Sequence, residues 1–147
     1  MHILLTGGGT LGPVTPLLAI VEEMSPRHPD LRWSWIGTTT GPEQALVESY
    51  HITFFAIPSG KLRRYFAWKN FTDIWKIIKG FFAAQKLLRQ LRPDLVVRAG
   101  GFVAVPVVWA AWWQKIPVHI HQSDVRLGLA NKLSAPCAQS ISVAWQE

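Results

Sequence analysis

The sequence predicts an α/β fold, a Rossmann-like parallel sheet with helices on both faces. Short apolar runs of strand length alternate with segments of helical spacing along the whole chain. Glycine-rich turns follow two of the predicted strands, a placement typical of phosphate-binding α/β proteins. The 147 residues, 49% hydrophobic and 16% charged, are enough for one globular domain, and no internal boundary, repeat or low-complexity segment divides them.

Each element follows from a local pattern. Residues 2–6 form an apolar run that stops at Gly7-Gly8-Gly9, which predicts the first strand. Apolar residues then recur at helical spacing up to Met24, with Pro13 placed to open that helix. By the same patterns, further strands are predicted at 32–37, 52–57, 94–98, 117–121 and 139–144, and helices at 42–50, 71–91, 102–114 and 128–134.

The two glycine turns are the candidate binding elements. A strand, a glycine turn and a helix N-terminus direct several backbone N–H groups at one point, which favours an anion, most often a phosphate. Glycine suits these positions because a Cβ would block the tight turn and the close approach of a diphosphate. A plain strand-to-helix turn without a ligand is the alternative. The candidate residues in the two turns are Gly8, Gly9, Thr10, Gly12, Gly100, Gly101 and Phe102.

Composition limits the class of partner. The net charge of +6 favours an anionic partner, such as nucleic acid, a lipid headgroup or a phosphorylated substrate. The single cysteine, Cys137, allows no internal disulfide and fits a reducing compartment. The first apolar run is already the glycine-loop strand, so we expect no signal peptide. Residues 99–113 are apolar but shorter than a membrane span and contain Pro106, which favours a buried helix.

The middle of the chain is basic and aromatic. Residues 61–92 contain nine Lys or Arg and one acid, Asp73, with aromatic residues interleaved. Helical spacing predicts that Ile74, Ile77, Ile78, Phe81, Leu88 and Leu91 pack on the sheet. Aromatic residues beside lysines suit an anionic membrane interface, while a solvated basic face is the alternative. We expect no nucleic-acid partner. The predicted membrane contacts are Lys69, Phe71, Trp75, Lys76, Lys79, Phe82 and Lys86.

An NAD-binding domain of the short-chain dehydrogenase and epimerase type is a second interpretation of the first glycine turn. The spacing of Tyr65 and Lys69 also matches the catalytic pair of those enzymes. However, the predicted second strand ends without an Asp or Glu to hold a ribose hydroxyl. The Tyr-Lys pair also comes too early in the chain, so we expect neither NAD nor another cofactor. No histidine has metal-ligand spacing, and we predict no metal site.

Four motifs in order resemble the N-terminal half of the MurG-type glycosyltransferases, family 28, which have the GT-B fold. Gly8-Gly9-Thr10-x-Gly12 is similar to that family's first glycine loop, and Gly100-Gly101-Phe102 to its second. His121-Gln122-Ser123-Asp124 stands where the family usually has His-Glu-Gln-Asn, and the Gly-Leu-x-Asn-Lys motif follows with Asn131. The resemblance implies transfer of N-acetylglucosamine from its UDP donor to an undecaprenyl-pyrophosphate-linked muramyl peptide during peptidoglycan synthesis. Gln122, Ser123 and Asn131 therefore join the candidate substrate contacts.

The sequence departs from this family at two positions that concern the catalytic base. The family's first loop ends in Gly-Gly-His, but here Gly12-Pro13 lacks the histidine, and Gln122 replaces an acid. An inverting transfer needs a group that accepts the proton of the attacking hydroxyl. Asp124 and His121 are the remaining candidates in these motifs. A hydrogen-bonded structural role for His121 and a capping role for Asp124 are the alternatives.

The sequence thus predicts a single acceptor-binding domain over residues 1–147, with the donor-binding domain outside them. By resemblance, the donor is a UDP-sugar, and the chain alone is expected to be inactive. The predicted location is cytoplasmic, on the inner face of the cell membrane. The competing interpretation is a non-catalytic membrane-anchoring subunit, similar to the membrane half of the split enzyme that builds dolichol-linked chitobiose.

Overall fold

The computed structural model describes residues 1–60, 69–123 and 128–144, with the backbone alone for 69–72. Within these ranges, six strands form one parallel sheet in the order β3-β2-β1-β4-β5-β6. The strands are β1 His2–Thr6, β2 Arg32–Thr38, β3 Thr53–Ile57, β4 Leu95–Arg98, β5 Val118–Gln122 and β6 Ser140–Val143. The helices are α1 Thr15–Met24, α2 Glu43–Ser49, α3 Lys69–Leu91, α4 Ala104–Trp113 and α5 Leu129–Ser134. All six predicted strands and the α/β class are confirmed.

Two hydrophobic clusters cover the two faces of the sheet. On one face, Leu4, Ile36 and Val96 pack under α3 and α4. On the other face, Leu5 and Trp35 pack with residues of α1 and α2. Successive strand residues alternate between the clusters because side chains of a strand point to opposite faces. This double coverage explains why β1 and β4 consist almost entirely of buried residues.

The strand order places a reversal of direction at the centre of the sheet. From β1 the chain builds outward to β2 and β3, and then it crosses back to add β4 on the other side of β1. In open α/β sheets, ligands bind in the crevice at the carboxyl ends of the strands where such a reversal occurs. The two glycine turns follow β1 and β4, the two strands that flank this point. The fold therefore brings both predicted binding turns to one edge.

Three local details differ from the predictions. Helix α1 begins at Thr15, so that Pro16, and not Pro13, lies in its first turn. On α3, Ile74 and Ile78 do not pack on the sheet but are 45% and 40% exposed. The buried stripe of this helix, which contains Ile77, Ala84 and Leu88, is narrower than the predicted arc. The buried helix predicted at 99–113 ends in two exposed tryptophans, Trp112 and Trp113.

Candidate functional site

The site consists of two loops that pack against each other at the centre of the sheet edge. The first glycine loop, residues 7–14, connects β1 to α1, and the second glycine loop, residues 99–103, connects β4 to α4. Gly101 has φ +83°, and a Cβ on it would lie 2.5 Å from the carbonyl oxygen of Gly8. Glycine is required at this position because the two backbones approach so closely. The loops therefore form one continuous surface.

The first glycine loop has a buried base and an open tip. Gly8 is buried, whereas Thr10 and Gly12 are exposed. Gly9 has φ +84°, and no atom lies within 4 Å of a Cβ placed on it. The requirement for glycine at Gly9 thus comes from its left-handed backbone, and the space beside it is open to a ligand.

A buried carboxylate that the sequence analysis did not identify lies behind the first glycine loop. Glu43 is fully buried. Its Oε1 accepts hydrogen bonds from the backbone N–H of Thr38 at 2.7 Å and from the Thr38 hydroxyl at 2.6 Å. Its Oε2 accepts a bond from the Gly9 N–H at 3.2 Å. Both carboxyl oxygens of Glu43 are thus hydrogen-bonded within the protein.

Glu43 also explains glycines in two segments. A Cβ on Gly8 or on Gly41 would overlap the carboxyl group of Glu43. The carboxylate therefore joins the first glycine loop to the end of β2 and to the turn that precedes α2. An amide of the loop that we predicted to face a ligand, that of Gly9, donates to the protein's own anion in this structure.

A buried cation lies on the other side of the switch point. Arg98, the last residue of β4, is fully buried. Its Nη1 donates to the carbonyl oxygen of Ala130 at 3.0 Å, and its Nη2 donates to Oδ1 of Asn131 at 2.6 Å. Among the described residues, its Nε has no hydrogen-bond partner and no carboxylate pairs with it. Burial lowers the pKa of Arg98 to about 10, so the guanidinium is charged at neutral pH.

Two predicted substrate contacts belong to the Arg98 network. Asn131 is 6% exposed and donates from Nδ2 to Oε1 of Gln122, which is 5% exposed. Both side chains are thereby held inside the protein, which favours a positioning role for them over direct contact with a ligand. Ser123 follows at half-buried depth, and Asp124 lies outside the described residues.

His121 is held by the edge strand. Its Nδ1 lies 2.9 Å from Oγ of Ser142, and the same serine lies 3.0 Å from Nε2 of His119. The Nδ1 of His119 in turn lies 2.7 Å from Oγ of Ser140. This arrangement of two histidines and two serines joins β5 to β6, which supports the structural alternative for His121.

The predicted membrane contacts lie apart from the glycine loops, on α3. Trp75 is 60% exposed, Phe82 is 66% exposed, and Lys76, Lys79 and Lys86 are also exposed. The side chains of Lys69 and Phe71 lie outside the described part of the chain, as does Tyr65 of the dehydrogenase-like pair. The neighbouring helix adds Trp113, which is 68% exposed.

A groove of about 610 Å³ runs between α3 and α4, hereafter the α3–α4 groove. Aromatic rings of Phe81, Phe82 and Trp113 form one part of its wall, and Lys86 and Arg89 form another. Apolar rings and cations are thus combined on one exposed surface. No helix within the described ranges is long and apolar enough to cross a membrane.

The described residues contain no group of three His, Cys, Asp or Glu side chains that could hold a metal ion. The polar groups around the two loops are backbone amides, the buried side chains of Glu43 and Arg98, and the amide side chains of Gln122 and Asn131. Such loops at a switch point define an α/β domain of the class that binds nucleotides or other phosphorylated ligands.

A comparison with models of protein families identifies the family to which this α/β domain belongs. Residues 3–143 match the model described as the glycosyltransferase family 28 N-terminal domain. The chain belongs to this family, which confirms the resemblance seen in the motifs and excludes the short-chain dehydrogenase interpretation.

Similar proteins and structures agree with the family. Over 145 residues the chain is 48% identical to a Clostridium botulinum protein named UDP-N-acetylglucosamine--N-acetylmuramyl-(pentapeptide) pyrophosphoryl-undecaprenol N-acetylglucosamine transferase. It is 49% identical over 147 residues to the Shouchella clausii protein of the same name. The match covers 99% of this chain and 40% of each relative, so the chain spans well under half of their length.

Among solved structures, MurG from Acinetobacter baumannii matches with a TM-score of 0.82 and 29% identity, covering 99% of this chain and 42% of that one. This confirms the predicted N-terminal half of a GT-B fold. A UDP-GlcNAc 2-epimerase from Methanocaldococcus jannaschii matches with a TM-score of 0.66 and 16% identity, covering 97% of this chain and 38% of that one, and shares the fold.

Proposed function

We propose that the chain is the acceptor-binding domain of a transferase that moves N-acetylglucosamine from UDP to an undecaprenyl-pyrophosphate-linked muramyl peptide. The observation that carries this proposal is the 48% identity, along 99% of the chain, with transferases named for that reaction. The two glycine loops at the switch point support it, because backbone amides between a strand end and a helix N-terminus favour a phosphate group.

The donor sugar nucleotide is held by a second domain outside these residues. The chain spans 40% of the relatives it matches, and its own sheet provides one crevice at the strand ends. Transfer takes place between the two domains, with the acceptor on this one. Because orienting two reactants contributes about 7–11 kcal/mol to catalysis, these residues alone should not transfer sugar.

Asp124 is the base candidate that we retain in this proposal. The Nδ1 of His121 lies 2.9 Å from the Ser142 hydroxyl, an arrangement that supports a structural role for this half-buried ring. Strand β5 ends at Gln122, at the same sheet edge as the two glycine loops, and Asp124 comes two residues later in the sequence. It would accept the proton of the attacking hydroxyl there.

The membrane surface supplies the lipid-linked acceptor. Trp75, Phe82 and Trp113 are exposed aromatic residues, and Lys79 and Lys86 are exposed cations of the same region. Aromatic side chains enter the interface while lysines contact anionic headgroups, at about 1 kcal/mol for each basic residue. The proposed location is therefore the inner, cytoplasmic face of the membrane.

Binding and transfer measurements on the isolated chain test this proposal. By isothermal titration, it should bind an undecaprenyl-pyrophosphate-linked acceptor analogue and show no saturable binding of UDP-N-acetylglucosamine. With radiolabelled donor and that analogue, no product should form above background. Donor binding or turnover would contradict the division of labour, and absence of acceptor binding would contradict the acceptor role.

Vesicle sedimentation tests the membrane part. Wild-type protein should sediment with anionic vesicles at low salt, and Lys79→Glu with Lys86→Glu should release it. Arg27→Glu with Arg32→Glu makes the same change of net charge at exposed residues outside α3 and should have little effect. Vesicle binding without acceptor binding would favour the anchoring-subunit alternative. Failure of the wild type to sediment would contradict the interfacial surface.

A further inference from the structure

Resting on the proposed function, we propose that Arg98 is a positioning residue of the acceptor site, which acts through Asn131 to fix the orientation of the Gln122 side chain. Arg98 is fully buried and therefore too deep to touch a ligand itself. Its hydrogen bonds and those of Asn131 join three segments at one edge of the sheet, namely the end of β4, the end of β5 and the start of α5.

The surroundings of Arg98 favour a geometric role over a stabilising one. Arg98 is the last residue of a strand that is otherwise apolar. No carboxylate within the described ranges pairs with its guanidinium, and its Nε has no hydrogen-bond partner there. A buried charge without a counterion is unfavourable for stability, and an apolar residue of similar size often serves the fold better.

The guanidinium fixes the direction of two amide side chains. It can only donate, so the Asn131 amide must turn its oxygen towards Arg98, where Oδ1 accepts from Nη2 at 2.6 Å. The Asn131 nitrogen then points the other way and donates to Oε1 of Gln122. The Gln122 oxygen is thereby turned towards α5 and its nitrogen away from Asn131. Without the guanidinium, the oxygen and nitrogen of the Asn131 amide could exchange places, because the two ends have nearly the same shape.

The other hydrogen bond of Arg98 holds the start of α5. Its Nη1 donates to the Ala130 carbonyl oxygen at 3.0 Å. Helix α5 has six residues, and a helix this short depends on contacts with the rest of the protein. Its far end is held separately by Trp109, whose Nε1 donates to the Leu133 carbonyl oxygen at 3.1 Å. A change at Trp109 therefore weakens the anchoring of α5 without turning either amide.

The Arg98 network lies at the edge of the sheet where the acceptor is proposed to bind. Strand β5 pairs with β4 and ends at Gln122, and the half-buried Ser123 follows directly. Ligands of open α/β sheets bind at these carboxyl ends. Binding groups must be held to within about 0.5 Å of the productive geometry. The acceptor affinity should therefore depend on Arg98, although Arg98 does not contact the acceptor.

Side-chain amide resonances report the network before any ligand is added. In ¹⁵N-labelled wild-type protein, the NH₂ groups of Asn131 and Gln122 should exchange slowly with solvent, because both side chains are buried and hydrogen-bonded. Arg98→Met should shift both signals and speed their exchange, whereas Trp109→Phe should leave both close to the wild type. Unchanged signals in Arg98→Met would overturn the proposal.

Isothermal titration with the undecaprenyl-pyrophosphate-linked acceptor analogue provides the functional measurement. Arg98→Met and Asn131→Ala should each weaken binding about three- to tenfold, and the double variant should lose little more than either, because both changes break one network. Trp109→Phe is the matched control. It removes a hydrogen bond to the same helix and should lower stability while its acceptor affinity stays close to the wild type.

Arg98→Lys separates position from charge. It keeps the charge, but a single ammonium lacks the rigid fork that reaches Ala130 and Asn131 together, so its affinity should fall between those of the wild type and Arg98→Met. Full affinity in Arg98→Lys, or additive losses in the double variant, would overturn the positioning role and leave the acceptor function intact. Absence of binding by the wild type would overturn both. If Arg98→Met does not fold, Arg98→Lys and Asn131→Ala decide the matter.

Discussion

The two glycine loops lie side by side, yet the buried charges behind them have opposite signs. The two charged groups also differ in how completely their polar atoms are hydrogen-bonded. Glu43 accepts three hydrogen bonds and closes the base of the first loop. Arg98 keeps its Nε without a partner among the described residues, and its two other nitrogens donate to α5. Similar glycine patterns in a sequence can therefore have different electrostatic surroundings.

The largest expected difference in stability is between two glycines that share a left-handed backbone, one in each loop. Gly9 and Gly101 have nearly the same φ, +84° and +83°, but only Gly101 faces a neighbouring backbone. Gly9→Ala should cost about 1–2 kcal/mol of folding free energy from backbone strain. Gly101→Ala should cost about 3 kcal/mol or more, because the Gly8 carbonyl must also move. Urea unfolding measures both, and equal losses would contradict the close packing of the loops.

The next effect compares the two buried charges. Glu43→Ala should lower the free energy of unfolding by about 2–4 kcal/mol, since it leaves the buried N–H of Thr38 and that of Gly9 without an acceptor. Arg98→Met should cost about 1–2 kcal/mol, because an apolar chain replaces an incompletely paired cation.

Exposed Glu48→Ala, on the same helix as Glu43, is the matched control and should change little. Guanidinium unfolding of the three variants measures the free energy that each one loses and so ranks them. A greater loss in Arg98→Met than in Glu43→Ala would show that the arginine, and not the carboxylate, is the better satisfied group.

The smallest effect lies at the β5–β6 edge, away from both loops. Burial, and then the charge of His121, lowers the pKa of His119 from its usual 6.5. The unfolded chain therefore takes up this proton first, so the stability contributed by neutral His119 is present above pH 6.5 and is lost as the pH falls below it. When the pH is lowered from 8 to 5, the unfolding temperature should fall less in His119→Gln than in the wild type. If the unfolding temperature of His119→Gln depended on pH as it does in the wild type, His119 would make no contribution to the pH dependence of stability.

The sequence was sufficient for the strands because each is a short apolar or alternating run bounded by Gly, Pro or polar residues. The exposure of Ile74 and Ile78 could not be predicted, since helical spacing defines a face but not how far the core extends under it. The family and the two loops could be predicted from the glycine motifs. The backbone conformation of these loops requires glycine, so the loops are visible in the sequence itself.

The buried charges were harder to foresee. Glu43 looked like an ordinary acid in the first turn of a helix, and only the fold brings it to Gly9, 34 residues away in the chain. Arg98 offered one signal, a charged residue inside an otherwise apolar strand that is covered on both faces. Its partners Ala130 and Asn131 lie 32 and 33 residues further on, so their contact depends on the tertiary structure.

The affinity for inorganic pyrophosphate in Glu43→Gln and Arg98→Met tests the account most directly. Isothermal titration should show opposite changes, a gain of about twofold in Glu43→Gln and a larger loss, about three- to tenfold, in Arg98→Met. Glu48→Gln and Arg32→Met are the controls for net charge. If both substitutions changed the affinity in the same direction, the buried charges would not act on the bound anion, and the proposed diphosphate contact at the glycine loops would be contradicted.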